Sequence, residues 1–172
     1  MGVDGTLQPD DIAAAIKPDD IHFPKTKLVC LENTHAGMPL PHHYAQEINQ
    51  LCKKYDLALH LDGARVFNAA VFGNLEPPAL VKDFDSVSFC LSKGLGAPIG
   101  SVLVGDKEFI EAGRRWRKVL GGGMRQAGVI AAAGIYALKN NIKRLAYDHE
   151  KASDLFGALA KRFGEKNIRL AI

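Results

Sequence analysis

The feature that most constrains this chain is an alternation between two apolar periods. Short runs of strand length, Lys27-Leu-Val-Cys-Leu-Glu32, Ala58-Leu-His-Leu-Asp62 and Ser86-Val-Ser-Phe-Cys-Leu91, are separated by stretches whose apolar residues recur at helical spacing. Between the first two runs, Pro41 sits where a first helical turn tolerates it. Tyr44, Ile48, Leu51 and Cys52 then mark an amphipathic helix reaching Tyr55. A second helix is expected over Ala64 to Phe72, followed by the turn-prone stretch Gly73 to Pro78. Pro98 to Val104 reads as a fourth strand, with only Ser92 to Ala97 ahead of it. A short helix, Asp10 to Ile16, precedes the series, and helices over Asp106 to Leu120, Gly128 to Leu138 and Ile142 to Phe163 follow it. Asn167 to Ile172 reads as a last strand that stops unfinished. Strands and helices in alternation make an α/β fold, a mainly parallel sheet with helices on both faces, which binds ligands at the carboxyl ends of its strands.

Composition narrows the function classes. With 172 residues, 47% hydrophobic and 24% charged, the chain can bury one core and is not disordered. No apolar run approaches the roughly 18 to 20 residues of a membrane-spanning helix, so no membrane role is expected. A net charge of +3, from 22 basic and 19 acidic residues, is too small and too dispersed for nucleic-acid binding, although Arg114 to Lys118 is locally basic. A small-molecule partner is the expectation. Cys30, Cys52 and Cys90 are widely spaced in apolar segments, read as reduced core thiols, and so suggest a cytosolic (cytoplasmic) address.

Three polar clusters interrupt the apolar pattern at strand ends: Glu32 to His35, Asp62 to Arg65, and Ser92 to Gly96. Lys93 follows an apolar strand and precedes Gly94 and Gly96, so its amine is carried on a backbone with little bulk beside it. In a low-dielectric pocket such an amine becomes a nucleophile toward carbonyl carbon, whereas at an open strand end it is simply solvated. Asp62 admits two compatible readings. It caps the following helix, with Arg65 as surface partner, or it faces the protonated ring nitrogen of a pyridine cofactor. His60 shares its sheet face by the period of two.

Neither glycine-rich stretch supports a nucleotide site. Gly94 to Gly100 has the wrong spacing for a dinucleotide fingerprint, and Gly121-Gly-Gly-Met-Arg-Gln126 lacks the phosphate-loop lysine with its Ser or Thr. Gly121 to Gly123 does lie ahead of a helix between Lys118 and Arg125, which would suit an anion at a helix N-terminus, or equally a plain interhelical turn. The histidines show no spacing recognised for metal ligation.

Taken together, Leu31-Glu-Asn-Thr-His35, His60-Leu-Asp-Gly-Ala-Arg-Val-Phe-Asn-Ala69, Asp85 to Pro98 and Gly121-Gly-Gly-Met-Arg-Gln-Ala-Gly128 resemble the low-specificity L-threonine aldolases, over nearly the whole chain and in the expected order. These are pyridoxal-phosphate enzymes of the aspartate-aminotransferase fold class, in the β-eliminating lyase group. The resemblance implies the large, cofactor-binding domain of such an enzyme over residues 1–172, and pyridoxal 5'-phosphate as cofactor. It implies Lys93 as the lysine joined covalently to the cofactor, Asp62 as partner of the ring nitrogen, and Arg65 beside the cofactor. Lys118 and Arg125 match basic residues that reach an active site near the cofactor phosphate from a neighbouring subunit, and His22 matches a histidine near the substrate. Glu32 and His35 border the cofactor.

The implied reaction is retro-aldol cleavage of L-threonine or L-allo-threonine, in a homo-oligomer that takes a small amino-acid substrate. The resemblance also implies that the chain is the central part of a family member, incomplete at both ends. An N-terminal segment with the phosphate loop and a ring-stacking histidine, and a small C-terminal domain with a carboxylate-binding arginine, are expected outside it. Two other readings stay open: a non-catalytic product that binds cofactor weakly or joins a complete subunit, and β-elimination on another amino acid.

Overall fold

The structure is a computed structural model that describes residues 2, 4–168 and 170. Four strands, β1 (Leu28–Glu32), β2 (Ala58–Asp62), β3 (Ser86–Cys90) and β4 (Ser101–Gly105), form one sheet in the order β1-β2-β3-β4. The first three run parallel and β4 is antiparallel to β3. That reversal follows from the length of the connection, since Leu91 to Gly100 is too short for the helical crossover a parallel neighbour needs.

The helices are α1 (Pro9–Ala15), α2 (Tyr44–Lys54), α3 (Val66–Phe72), α4 (Pro77–Val81), α5 (Lys107–Val119), α6 (Gly128–Asn140) and α7 (Leu145–Phe163). Each helix expected from periodicity is present with ends moved by up to three residues. The exception to the expected set is α4, which the Pro77-Pro78 pair conceals as a turn signal although Pro is favoured in a first helical turn. Of the expected last strand, Asn167 belongs to a 3₁₀ turn, Glu165–Asn167, and Arg169, Ala171 and Ile172 lie outside the described residues.

Parallel strands laid down in sequential order by right-handed crossovers put their connecting helices on one face. The main core obeys this. Val29, Leu31, Leu59, Leu61 and Val87, alternate residues of β1 to β3, pack with Ile48 and Cys52 of α2, Val66 of α3, and Leu80 and Val81 of α4. Ile48, Leu59 and Leu61 are completely buried, each contributing about 1.5–3 kcal/mol by leaving water. A second cluster continues this layer, joining Leu91, Leu95 and Ala97 to Ala137 of α6 and Leu145 of α7, with Phe67 set edge-on to Phe89 at 5.2 Å.

Helices occupy the opposite face as well, but unequally. Only α5 lies there, over β4, with Phe109 against Gly105 and Leu103 against Gly113. Over β1 and β2 this second face is open, so Leu28, Cys30, Glu32, Ala58 and Asp62 are exposed. Of the three cysteines read as core thiols, only Cys52 is in the core. Cys90 is half-buried and Cys30 is exposed, because its alternate position on β1 points it to the open face. All three are free.

Candidate active site

The carboxyl ends of β1, β2 and β3 are stitched together by their main chains. Asn33 N–H donates to Asp62 C=O at 2.9 Å, and Gly63 N–H donates to Ser88 C=O at 2.7 Å. The register puts Glu32 beside Asp62, and Asp62 beside Ser88. Three loops leave this edge side by side, carrying the three polar clusters seen in the sequence.

After β1 the chain turns back on itself. His35 and Met38 exchange both main-chain hydrogen bonds, at 2.9 and 2.8 Å, across Ala36 (φ 47°) and Gly37 (φ 81°), a tight reverse turn with both central residues left-handed. The His35 imidazole is fixed by this turn: its Nδ1 lies 2.9 Å from Glu32 Oε2. Gly5 (φ 84°) passes so near that a side chain there would meet His35 Cβ at 2.5 Å. Between these residues, the Thr34 hydroxyl is buried without a hydrogen-bond partner among the described residues. His22 sits apart, exposed in the turn before β1, its main-chain N–H on Asp20 Oδ1 at 2.8 Å.

After β2, Asp62 Oδ1 accepts a hydrogen bond from Ala64 N–H at 3.1 Å. Asp62 therefore ties down the turn and does not cap α3, whose N-cap position is Arg65, with no side-chain cap. Arg65 is exposed, and the expected Asp62–Arg65 surface pair is not formed. The charge of Asp62 is felt on the open face. Packing around the Cys30 thiol pushes its pKa up, and the nearby Asp62 carboxylate adds to that shift. His60, on the same face, holds Ser86 Oγ with Nδ1 at 2.8 Å.

After β3, Lys93 is exposed, two residues beyond the buried Leu91. The glycine beside it is not spare room: a Cβ on Gly94 would lie 2.7 Å from Leu145 Cδ2 and 3.3 Å from Asn68 Oδ1. The loop closes through Gly96 N–H to Lys93 C=O at 2.9 Å and Ala97 N–H to Leu91 C=O at 3.0 Å.

Lys118 and Arg125 are reached by a different route. From Gly105, paired with Ser86 at the amino end of β3, α5 runs back along β4 and brings Arg117 beside Ser101, the partner of Cys90. The last turn of α5, with Lys118, thus returns to the end of the sheet that carries Lys93. Gly121 (φ 87°) ends the helix: its N–H donates to Lys118 C=O at 3.1 Å, and Gly122 N–H donates to Arg117 C=O at 2.8 Å, a Schellman closure. The triple glycine is therefore the C-terminal stop of α5, and α6 begins only at Gly128. The Lys118 side chain folds over Gly123. Lys118 and Arg125 make no hydrogen bond with Asp62, Arg65 or Lys93. None of these five residues is in an ion pair among the described residues.

Sequence reading missed the supports of the Lys93 loop, which are Asn68 on α3, Asn141 at the end of α6, and Leu145 on α7. Only Asn68, an isolated amide in the apolar helix α3, could have hinted at them.

This is an α/β protein whose polar, uncommitted groups gather at the carboxyl edge of a mainly parallel sheet. A model of the family described as Beta-eliminating lyase matches residues 2–166, and the chain belongs to that family. The Escherichia coli (strain K12) protein named Low specificity L-threonine aldolase is 55% identical over 150 residues, covering 87% of this chain and 45% of that protein. Among solved structures, threonine aldolase from Leishmania major matches with a TM-score of 0.75 at 21% identity, covering 92% of this chain and 48% of that one. The pyridoxal-phosphate-bound C–S lyase from Staphylococcus hominis matches with a TM-score of 0.61 at 16% identity, covering 94% and 41%. At those identities the two structures speak for the fold. The chain spans about half the length of the relatives it matches. No helix among the described residues is long and apolar enough to cross a membrane.

Proposed function

We propose that this chain forms the cofactor-holding layer of a pyridoxal-phosphate-dependent carbon–carbon lyase that cleaves L-threonine or L-allo-threonine to glycine and acetaldehyde. The observation that carries this reading is an amine and a carboxylate at one sheet edge, Lys93 on the loop leaving β3 and Asp62 at the end of the adjacent β2, neither of them in an ion pair among the described residues. That donor set fits the cofactor's three handles: an aldehyde for an amine, a basic ring nitrogen for a carboxylate, and a phosphate for cations. The 55% identity with the Escherichia coli protein supports the choice of reaction.

When bound, pyridoxal phosphate supplies a protonated ring that accepts the electron pair released as the Cα–Cβ bond breaks. Asp62, oriented by the Ala64 N–H, would hold the proton on the ring nitrogen through a charge-assisted hydrogen bond worth roughly 1.5–3 kcal/mol. Lys93 would hold the cofactor covalently through its aldehyde carbon. Arg65, exposed on the same edge, would meet the cofactor with its guanidinium. Lys118 and Arg125 supply positive charge for the phosphate. In the assembled enzyme they would reach it from a neighbouring copy.

A homo-oligomer is the proposed working form. Exposed Trp116 (64%), Leu120 (81%), Val129 (75%) and Tyr136 (64%) on α5, α6 and their flanks support an assembly that covers them. Three free cysteines suit the cytosol, where thiols stay reduced.

The test is an absorbance spectrum of the purified chain after mixing with pyridoxal phosphate and removing the free cofactor. Wild type is expected to keep a long-wavelength band that Lys93→Ala lacks and Asp62→Ala weakens, and to release acetaldehyde from threonine. Folded wild type that keeps no band refutes the reading for this chain and favours a non-catalytic product.

A further inference from the structure

The loop that carries Lys93 is held from a part of the chain almost fifty residues away. Asn141, at the C-cap of α6, donates from Nδ2 to the Leu95 C=O at 2.7 Å. One helical turn further on, the fully buried Leu145 fills the space beside Gly94, and Leu95 and Ala97 are buried against it and Ala137. Inside the loop, the Lys93 C=O is fixed by Gly96 N–H at 2.9 Å, so any movement at Leu95 is passed to the Lys93 peptide. The corner between α6 and α7 therefore grips the loop by one polar and one apolar contact.

We propose that Asn141 is a positioning residue for Lys93. It sets where the amine stands by holding the Leu95 carbonyl, and it touches neither substrate nor cofactor itself. The amide is the group suited to this place. Leu95 and Ala97 are buried, so water cannot freely replace the lost donor at the Leu95 carbonyl, and an aspartate of the same shape would set a carboxylate against a carbonyl oxygen. Leu145 alone does not define the loop, because an apolar contact is non-directional. The inference rests on the proposed cofactor role of Lys93.

The test uses Asn141→Asp and Asn141→Ala, with Asn140→Asp as the control. Asn140 is the adjacent residue of the same type, and among the described residues its Nδ2 bonds only Tyr136 C=O of its own helix, at 2.8 Å. Two readouts are taken on chains whose thermal midpoints confirm folding. In the first, the chain is treated with pyridoxal phosphate and then borohydride, and the label at Lys93 relative to the other lysines is counted by peptide mapping. In the second, hydrogen exchange of the Gly96 and Ala97 amides is measured without cofactor. The expected result in both Asn141 variants is about tenfold faster exchange at those amides and a fall of about fivefold or more in the preference for Lys93, with Asn140→Asp unchanged. Unchanged exchange overturns the clamp. Faster exchange with full Lys93 preference overturns the link from clamp to lysine. A wild-type chain with no preference for Lys93 overturns the cofactor reading instead, and the exchange arm still decides whether Asn141 holds the loop.

Discussion

Replacing Gly94 by alanine puts a methyl group 2.7 Å from Leu145 Cδ2, and Leu145 is fully buried with no free direction of retreat. The overlap has the character of an overpacked core, which costs about 1–3 kcal/mol. The backbone partly offsets it. Gly94 is outside the left-handed region, so alanine is conformationally allowed and restricts the unfolded chain, a gain of about 0.4–1 kcal/mol. The net expectation is a loss of up to about 2.6 kcal/mol, seen as a lower urea midpoint at unchanged slope. The decisive comparison is with Leu145→Ala, which by itself leaves a cavity and costs about 2–5 kcal/mol. In the double variant the Gly94 methyl enters space that Leu145 has vacated, so the overlap is relieved and the two losses fall short of their sum by about 1–3 kcal/mol. Losses that add to within about 0.5 kcal/mol would show that Gly94 and Leu145 do not share this space, and the packing argument for the Lys93 loop would fail with them.

Other outcomes follow from local geometry. Asp106→Ala removes the N-cap of α5, whose Oδ1 accepts from Phe109 N–H at 2.7 Å, and is expected to lower stability by about 1 kcal/mol in urea unfolding. Ile48→Ala, at a fully buried position of α2, is expected to cost about 2–5 kcal/mol, and a cost below 1 would mean that the α2 layer is not the core. Burial pushes the Tyr44 hydroxyl above its ordinary value of 10.0, against the opposing effect of the hydrogen bond that Leu7 N–H donates to its oxygen. Because the folded state then holds its proton to higher pH than the unfolded one, the stability this contributes is complete below pH 10 and is lost as pH rises through the folded value. Tyr44→Phe should flatten that alkaline loss in a series of urea titrations, while costing about 1 kcal/mol at neutral pH from the two hydrogen bonds with Leu7. An alkaline slope identical in Tyr44→Phe and wild type would remove Tyr44 as its source.

The strands and most helices are legible in the sequence because their signals are local: the period of two in Ala58 to Asp62, and the helical spacing of Tyr44, Ile48 and Cys52. The placing of the polar clusters at strand carboxyl ends follows from the same reading, since a parallel sheet exposes that edge. The antiparallel run of β4 is set by the shortness of the loop before it. What it does not contain is which face each strand residue meets and what lies on the other side. Cys30 and Val29 are equally apolar neighbours, yet only one is in the core, because every crossover helix packs on the same face and leaves the other open. Gly94 reads as free space beside a lysine, but Leu145, 51 residues later, fills it. The triple glycine reads either as an anion-binding approach to a helix or as a plain interhelical turn, and the left-handed Gly121 with two backbone hydrogen bonds makes it the turn that stops α5. Residue identity and spacing alone thus determine the chemistry available to this chain, an amine, a carboxylate and scattered cations at one sheet edge. Tertiary structure decides where that chemistry stands, because position depends on contacts such as Asn141 with Leu95 that join segments with no shared local pattern.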